Sequence, residues 1–366
     1  MPKRILILTA GFGEGHNAAA RGIRDGLLLA GAERSVVEMR DVFSETYGLM
    51  NDLVRRSYLA LINRAPAAWS GLYEWIDRQA NPASKLRVLF QAKNRLCDLL
   101  AQFQPDVVVS VFPAYSHLLD AIVGQTPPPF RRIVCVTDSI TVNAIWHRCR
   151  CDCFYVPNDE TAAVLAAAGV APDRVQVTGF PVAPSFAQLG PLRQPPSDEY
   201  GRRILHMINP GRVVDSEVIR RLAKIPATRL TVAVGKDNHL RRTVEAITVE
   251  AGRKFEVVGW SDQLPRLMLE SHLLVGKAGG AMVQEAIAAG CPMIINQIVP
   301  GQEEGNARLL RGTNSAVLAT TPDAIVAAVE EAFADDARVW REWSANISRL
   351  SRPNAARDIA ERLIAL

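Results

Sequence analysis

The segment AGFGEGHNAAARGI places glycines at 11, 13 and 15 directly before His16 and a run with helical character. A loop without side chains lets a ligand come close to a helix N-terminus, where unpaired amides and the helix dipole favour negative charge. An imidazole at that place, neutral near pH 7, is suited to take a proton from a hydroxyl. A structural role for the histidine is the alternative. The three glycines also resemble a dinucleotide fingerprint, with Glu38 or Asp41 as the acid for a ribose. Their spacing is not G-x-G-x-x-G, so NAD binding is the lesser reading.

The second half holds a complementary set. In VGKAGGAMVQEA, Lys277 and the pair Gly279 and Gly280 fall at a strand-to-helix turn, with Glu285 in the first turns of the following helix. Free amides and the dipole there suit a diphosphate, and a nearby carboxylate suits the two hydroxyls of a ribose. One strand later, IVPGQEEGN supplies Gly301, Gln302, Glu303, Glu304 and Asn306 in a single polar loop that opens a helix. An ordinary capped helix is the plainer explanation, but it does not require so many donors and acceptors in one turn. No Asp-x-Asp pair stands where a divalent cation would be held. The charge of a leaving diphosphate then falls on the helix N-terminus, loop amides and Lys277, and no metal or other cofactor is expected.

Cys149, Cys151 and Cys153 form a C-x-C-x-C run beside His147. Alternate spacing is what one face of a strand gives, and no second pair follows at zinc spacing, so the run reads as structural. The chain has 366 residues, of which 48% are hydrophobic, 22% charged and 6% aromatic, enough for two cores and unlike a disordered chain. Six cysteines are too few for a disulfide scaffold and suit a reducing compartment. Lys and Arg number 42 against 38 Asp and Glu, and a net charge of +4 is too slight to argue for a nucleic-acid partner. No stretch reaches the roughly twenty apolar residues of a membrane span, and the opening run reads as a core strand rather than a signal peptide.

The elements that must position these residues alternate between apolar runs and helix-period segments, the pattern of an α/β chain with parallel sheets. Strands are expected at 4–10, 35–40, 106–112, 132–136, 152–156 and near 176, then at 204–208, 230–234, 256–258, 273–275 and 293–296. The Pro-rich, polar stretch 185–203 reads as a linker about which two lobes close. The expected domains are therefore 1–184 and 204–366, with the last helix packing back on the first. Residues 44–103 offer no strand and read as a helical insertion. It carries Arg55, Arg56, Arg64, Trp69, Tyr73, Trp75, Lys85, Arg87, Lys93 and Arg95 with few acids. Interleaved rings and cations suit an anionic membrane surface; a helical subdomain with a solvated face is the alternative.

Taken together, the blocks resemble the diacylglycerol glycosyltransferases, namely monogalactosyldiacylglycerol synthases and processive diacylglycerol glucosyltransferases. GEGHNAAA is similar to their G-G-G-H-x-x-x-A loop, QPDVVVSVFPAYSH to their strand leading into S-x-x-P, and VTDSITVNAIWH to T-D-x-x-T-x-x-x-x-W-H. VTGFPVAPSF resembles G-x-P-V-x-x-x-F, and KAGGAMVQEA followed by PGQEEGN is the most specific signature. The likeness spans nearly the whole chain.

This resemblance implies a GT-B architecture, two Rossmann-like lobes facing across a cleft, with a lipid acceptor at the first and a UDP-sugar at the second. It implies that His16 acts on the acceptor hydroxyl with Asp138 in the same catalytic group. Glu285 would hold the ribose and Gln302 with Glu303 the sugar hydroxyls. Gly211, Gly259, Lys277, Gly279, Gly280, Gly301 and Asn306 would complete the donor site. Gly15, Pro113 and Trp146 would face the acceptor, and Arg55, Arg56 and Trp69 the membrane. The implied reaction is an inverting transfer of glucose or galactose from UDP-glucose or UDP-galactose to diacylglycerol or a related glycolipid, by a cytoplasmic protein peripheral on the inner face of the cell membrane. Two features depart from the family pattern: Asn143 stands where many relatives have histidine, and the glycine-rich loop of the second lobe is reduced to NPGR around Gly211. The alternatives are a non-catalytic nucleotide- or lipid-binding protein on the same fold, or transfer to another lipid-linked acceptor.

Overall fold

Apolar runs without intervening charge, such as Ile5 to Leu8 and Val107 to Val109, are suited to strands covered on both faces, and all of these residues are buried. The computed structural model describes residues 1–31, 33–50, 53–54, 57, 71, 89–197, 201–208, 216–250, 255–301 and 303–366. Among these, two six-stranded parallel sheets form. The first holds β1 (Lys3–Leu8), β2 (Ser35–Arg40), β3 (Val107–Ser110), β4 (Arg131–Cys135), β5 (Cys153–Val156) and β6 (Val175–Val177), in the order β2-β1-β3-β4-β5-β6. The second holds β7 (Arg202–Met207), β8 (Thr228–Gly235), β9 (Glu256–Gly259), β10 (Leu273–Lys277), β11 (Met293–Gln297) and β12 (Ala316–Leu318), in the order β12-β11-β10-β7-β8-β9.

In each sheet the chain leaves its first strand to one side and later returns on the other. Switch points therefore lie between β1 and β3 and between β7 and β10. There the connections diverge and open a crevice beyond the strand carboxyl ends, the usual ligand position in such sheets. In the first sheet, β1 runs into the glycine loop and helix Glu14–Leu29, and β3 runs into Phe112 and helix Pro113–Val123. In the second, β10 runs into Ala278, Gly279 and helix Gly280–Ala289.

The chain forms two units, one of Met1–Pro184, Pro300–Gly305 and Asn354–Leu366, the other of Ser185–Val299 and Asn306–Pro353. The last helix, Ala355–Ala365, packs on helix Glu14–Leu29 and buries Ala356, Ile359 and Leu363, with Arg34 paired to Glu361 at 3.0 Å. Several expectations are corrected. Residues 185–203 are not a free linker: Phe186 is buried, the Arg193 guanidinium donates to the Ser344 carbonyl at 3.2 Å, and the Gln194 carbonyl lies 3.1 Å from His272 Nε2. A Pro-rich stretch lacks a backbone ladder, so these side chains fasten it to the second unit instead. Residues 300–305 group with the first unit rather than with the second. β12, three residues long, was too short for periodicity to reveal. Of the insertion, helices Val42–Tyr47 and Phe90–Phe103 border a stretch lying mostly outside the described residues. None of the described helices is long and apolar enough to cross a membrane.

Candidate active site

His16 stands in the first turn of helix Glu14–Leu29, whose N-terminus has no side-chain cap. Asp41 braces the loop that precedes it: one carboxylate oxygen accepts from Gly11 N at 2.8 Å and the other from Ser44 N at 2.9 Å, capping helix Val42–Tyr47. Glu38 pairs with Arg40 at 3.1 Å. Both acids proposed for a dinucleotide ribose thus have structural partners, which removes the sequence support for the NAD reading.

The imidazole is fixed from the neighbouring strands. His16 Nδ1 lies 2.8 Å from the Val111 carbonyl just beyond β3, and 3.0 Å from Thr137 Oγ1 just beyond β4. A carbonyl oxygen only accepts, so Nδ1 carries the proton and Nε2 keeps its lone pair. Burial lowers the His16 pKa to about 4, against a smaller opposing contribution from the Val111 hydrogen bond. The ring is therefore neutral near pH 7. It sits at 5.0 Å from Phe112 and 6.0 Å from Trp146, centroid to centroid.

Trp146 joins His16 to Asp138. Its indole donates to Asp138 Oδ2 at 2.7 Å. Burial raises the Asp138 pKa to about 6, opposed by that hydrogen bond. Trp146 ends the short turn Ala144–Trp146, which Asn143 caps by accepting from Ile145 N at 3.1 Å and to which buried His117 is bound through the Ile145 carbonyl at 2.8 Å. Asn143 here supplies a turn cap. His16, Asp138 and Trp146 are brought together as expected from the motifs; Gly15 and Pro113 sit in the first turns of the two helices that frame them. Cys149 Sγ donates to the Trp146 carbonyl at 3.4 Å and Cys153 is buried on β5, and no cluster of three potential metal ligands occurs among the described residues.

In the second unit, Gly279 precedes helix Gly280–Ala289 without a side-chain cap, so its first amides face outward from the end of β10. Lys277 ends β10, and Glu285, half-buried, lies one turn into the helix. Asn306 donates from Nδ2 to the Ala278 carbonyl at 3.1 Å, while its Oδ1 is buried without a hydrogen-bond partner, as is Asn296 Oδ1 at the end of β11. Two orphan acceptors beside an uncapped helix are polar groups that a ligand would satisfy. Gly259 ends β9, where Trp260 receives Lys236 over its ring at 3.9 Å.

Gly301 and Glu303 fall in the first unit, Gly301 with φ of 78° and Glu303 buried to 5% exposure. Their turn is tied down at Gly305, whose amide donates to Thr141 Oγ1 at 3.1 Å. A Cβ at Gly305 would stand 2.0 Å from the Ser139 carbonyl oxygen, so only glycine fits. Gly211, Gln302, Arg55, Arg56 and Trp69 lie outside the described residues. Of the insertion's cations, Arg95 is turned toward Glu45 at 3.7 Å, and Lys93 is half-buried. Sequence reasoning missed the roles of Thr137, His117, Asn296 and Gly305. Thr137, His117 and Gly305 lie inside the motifs named above, while Asn296 carried no signal beyond polarity at a strand end.

Comparison with known proteins follows the same division. Residues 16–182 match the monogalactosyldiacylglycerol (MGDG) synthase family model, and residues 212–362 the glycosyltransferase family 28 C-terminal domain. The chain is 26% identical to the processive diacylglycerol beta-glucosyltransferase of Bacillus subtilis, covering 99% of this chain and 95% of that protein. It is 24% identical to a probable monogalactosyldiacylglycerol synthase 2 of Oryza sativa subsp. japonica, covering 98% and 80%. In fold it is similar to Acinetobacter baumannii MurG (TM-score 0.62, 13% identity, 100% of both chains). It is likewise similar to S. aureus MnaA solved with UDP (TM-score 0.61, 14% identity, 100% of this chain and 95% of that one). Two family models matched in succession and full-length relatives at 24–26% identity thus make this chain similar to the diacylglycerol glycosyltransferases, on the two-sheet GT-B fold.

Proposed function

We propose that this chain transfers a hexose from UDP-glucose or UDP-galactose to the hydroxyl of diacylglycerol, forming a β-glycolipid with inversion at the anomeric carbon. The observation that carries the reading is His16: Nδ1 is committed to the Val111 carbonyl and the ring is neutral, which leaves Nε2 as a base. The names of the full-length relatives supply the lipid and the sugar class. In the step, the acceptor oxygen forms a bond to C1 of the sugar as the bond from C1 to the diphosphate oxygen breaks. The hydroxyl proton passes to His16 Nε2, and UDP leaves with the bonding electron pair. Asp138, ionised above pH 6, favours the imidazolium that forms. The uncapped amides at Gly280 and the Lys277 ammonium receive the charge on the diphosphate, Glu285 the ribose hydroxyls, and Gln302 with Glu303 the sugar. We further propose that the protein works without a metal and at an anionic membrane surface, on the cytoplasmic side where UDP-sugars are found.

The test is direct. Purified protein is given each UDP-sugar with dioleoylglycerol in mixed micelles, and the product is identified by mass and linkage. A β-linked hexosyl-diacylglycerol, formed at the same initial rate with and without EDTA, is expected. Release of UDP without lipid product, or binding of UDP without turnover, would overturn the transfer reading; loss of rate on EDTA restored by magnesium would overturn the metal-free one.

A further inference from the structure

Beside the polar partners of Nδ1, the base has aromatic rings against it. Phe112 sets its edge against His16, the planes at 84°, and Phe12 stacks on Phe112 at 5.7 Å with 13° between planes. Behind them Phe43 and Tyr115 are buried, and the Tyr115 hydroxyl is committed at both sides, donating to the Thr9 carbonyl at 2.8 Å and accepting from Val42 N at 2.9 Å. Phe12 and Phe112 differ from that pair: both are only half-buried, packed against the core cluster. Phe12 is held between Gly11 and Gly13 in the braced loop, so its ring position follows from the Asp41 contact rather than from a helix or strand. The same core cluster carries half-buried Tyr47 and Leu89. Next to these in sequence stand Leu49, Met50 and Phe90, 88%, 61% and 63% exposed.

We propose that Phe12 and Phe112 are specificity residues that take the acyl chain of the acceptor, so that its hydroxyl reaches His16 while the carbons nearest the glycerol lie on the two rings. The proposal rests on the diacylglycerol reading above and deepens it. An aromatic platform also suits the C–H face of a sugar, but a sugar platform pairs its ring with groups for the hydroxyls. The rings around Phe12 and Phe112 are Phe43, Tyr115, whose hydroxyl is already occupied, and His16, whose Nδ1 is committed to the Val111 carbonyl. A hydrocarbon chain needs no such partners, and covering the half-exposed rings with it removes apolar surface from water on both sides.

The experiment has two arms. In the first, Phe12→Ala, Phe112→Ala and the volume-retaining Phe112→Leu are assayed with dioleoylglycerol and with dihexanoylglycerol. Both alanine variants are expected to raise KM for dioleoylglycerol about 10-fold with kcat within about 3-fold. KM for dihexanoylglycerol and for the UDP-sugar should change less than about 3-fold, and Phe112→Leu should recover most of the loss. An unchanged chain-length preference, a fall in kcat at constant KM for both lipids, or an effect confined to a glycosylated acceptor would overturn the proposal. In the second, a diacylglycerol with a diazirine on one acyl chain is photolysed with the wild-type protein and with His16→Ala. Adducts on the peptides bearing Phe12 or Phe112, competed by dioleoylglycerol, are expected in both proteins, and their absence from both peptides would overturn it. Because labelling needs no turnover, it decides the ring contact even where the transfer assay fails and takes the reaction reading with it.

Discussion

His16 keeps its lone pair on Nε2 because two partners from neighbouring strand ends crowd Nδ1, and burial holds the ring neutral by lowering its pKa to about 4. His16→Ala should therefore lower kcat by about 10²–10⁴-fold while leaving UDP affinity within about twofold, checked by initial rates and calorimetry. Normal turnover would remove it as the base. Protonation of His16 does not explain a loss of rate between pH 7 and 5.5, whereas Asp138, raised to about 6, titrates in that interval. The acid limb of kcat/KM is expected near pH 6, and in Asp138→Asn, at a lower overall rate, it should move toward pH 4. A limb that stays at 6 in the variant would detach Asp138 from catalysis. The sign for stability follows from the same shift. With its folded pKa above the unfolded value, the folded state holds a proton that the unfolded state releases between about pH 4 and 6, so stability falls as pH rises through that window. Asp138→Asn escapes this and should gain about 1–2 kcal/mol at pH 8, but little at pH 4, by thermal unfolding.

The turn at Pro300–Gly305 and the segment Thr137–Thr141 form one packed element pair although they are distant in sequence. Gly305 lies against the Ser139 carbonyl and Thr141, and Asp138 lies beside them in the chain. Gly305→Ala should cost about 1–3 kcal/mol of stability and displace Asp138, read as a lowered Tm and a shifted acid limb. Unchanged Tm and profile would show that the turn accommodates a methyl group. At this scale the long elements were legible: the strand runs of both sheets appear within one or two residues of their expected ends, because a parallel sheet covered on both faces demands unbroken apolar runs. β12 and the fastening of 185–203 were not legible, since neither depends on periodicity.

At the scale of the whole molecule, a lipid acceptor must be met where it resides, because exposing its chains costs about 0.8 kcal/mol per CH₂. Binding to vesicles of anionic lipid should exceed binding to neutral ones and weaken with salt. Charge reversal at Arg55 and Arg56 together should reduce it while sparing UDP affinity, by flotation and calorimetry. Equal, salt-insensitive binding to both kinds of vesicle would return the insertion to a purely structural role.

The amino-acid sequence by itself determined two α/β halves, a glycine loop ending in a histidine, and a strand-to-helix turn at KAGG. All of these are encoded in local composition and period. Its resemblance to a known family further implied His16 with Asp138 as the catalytic pair and Trp146 facing the acceptor. Only the tertiary structure decided what surrounds them. Val111 and Thr137 meet His16 across 95 and 121 residues of chain, and Asp41 reaches Gly11 across 30. Those meetings depend on strand order at the switch point, and strand order is set by packing among non-neighbouring segments that no local pattern records. The same packing left Phe12 and Phe112 half-covered beside the base, although in the sequence they read as two ordinary apolar residues.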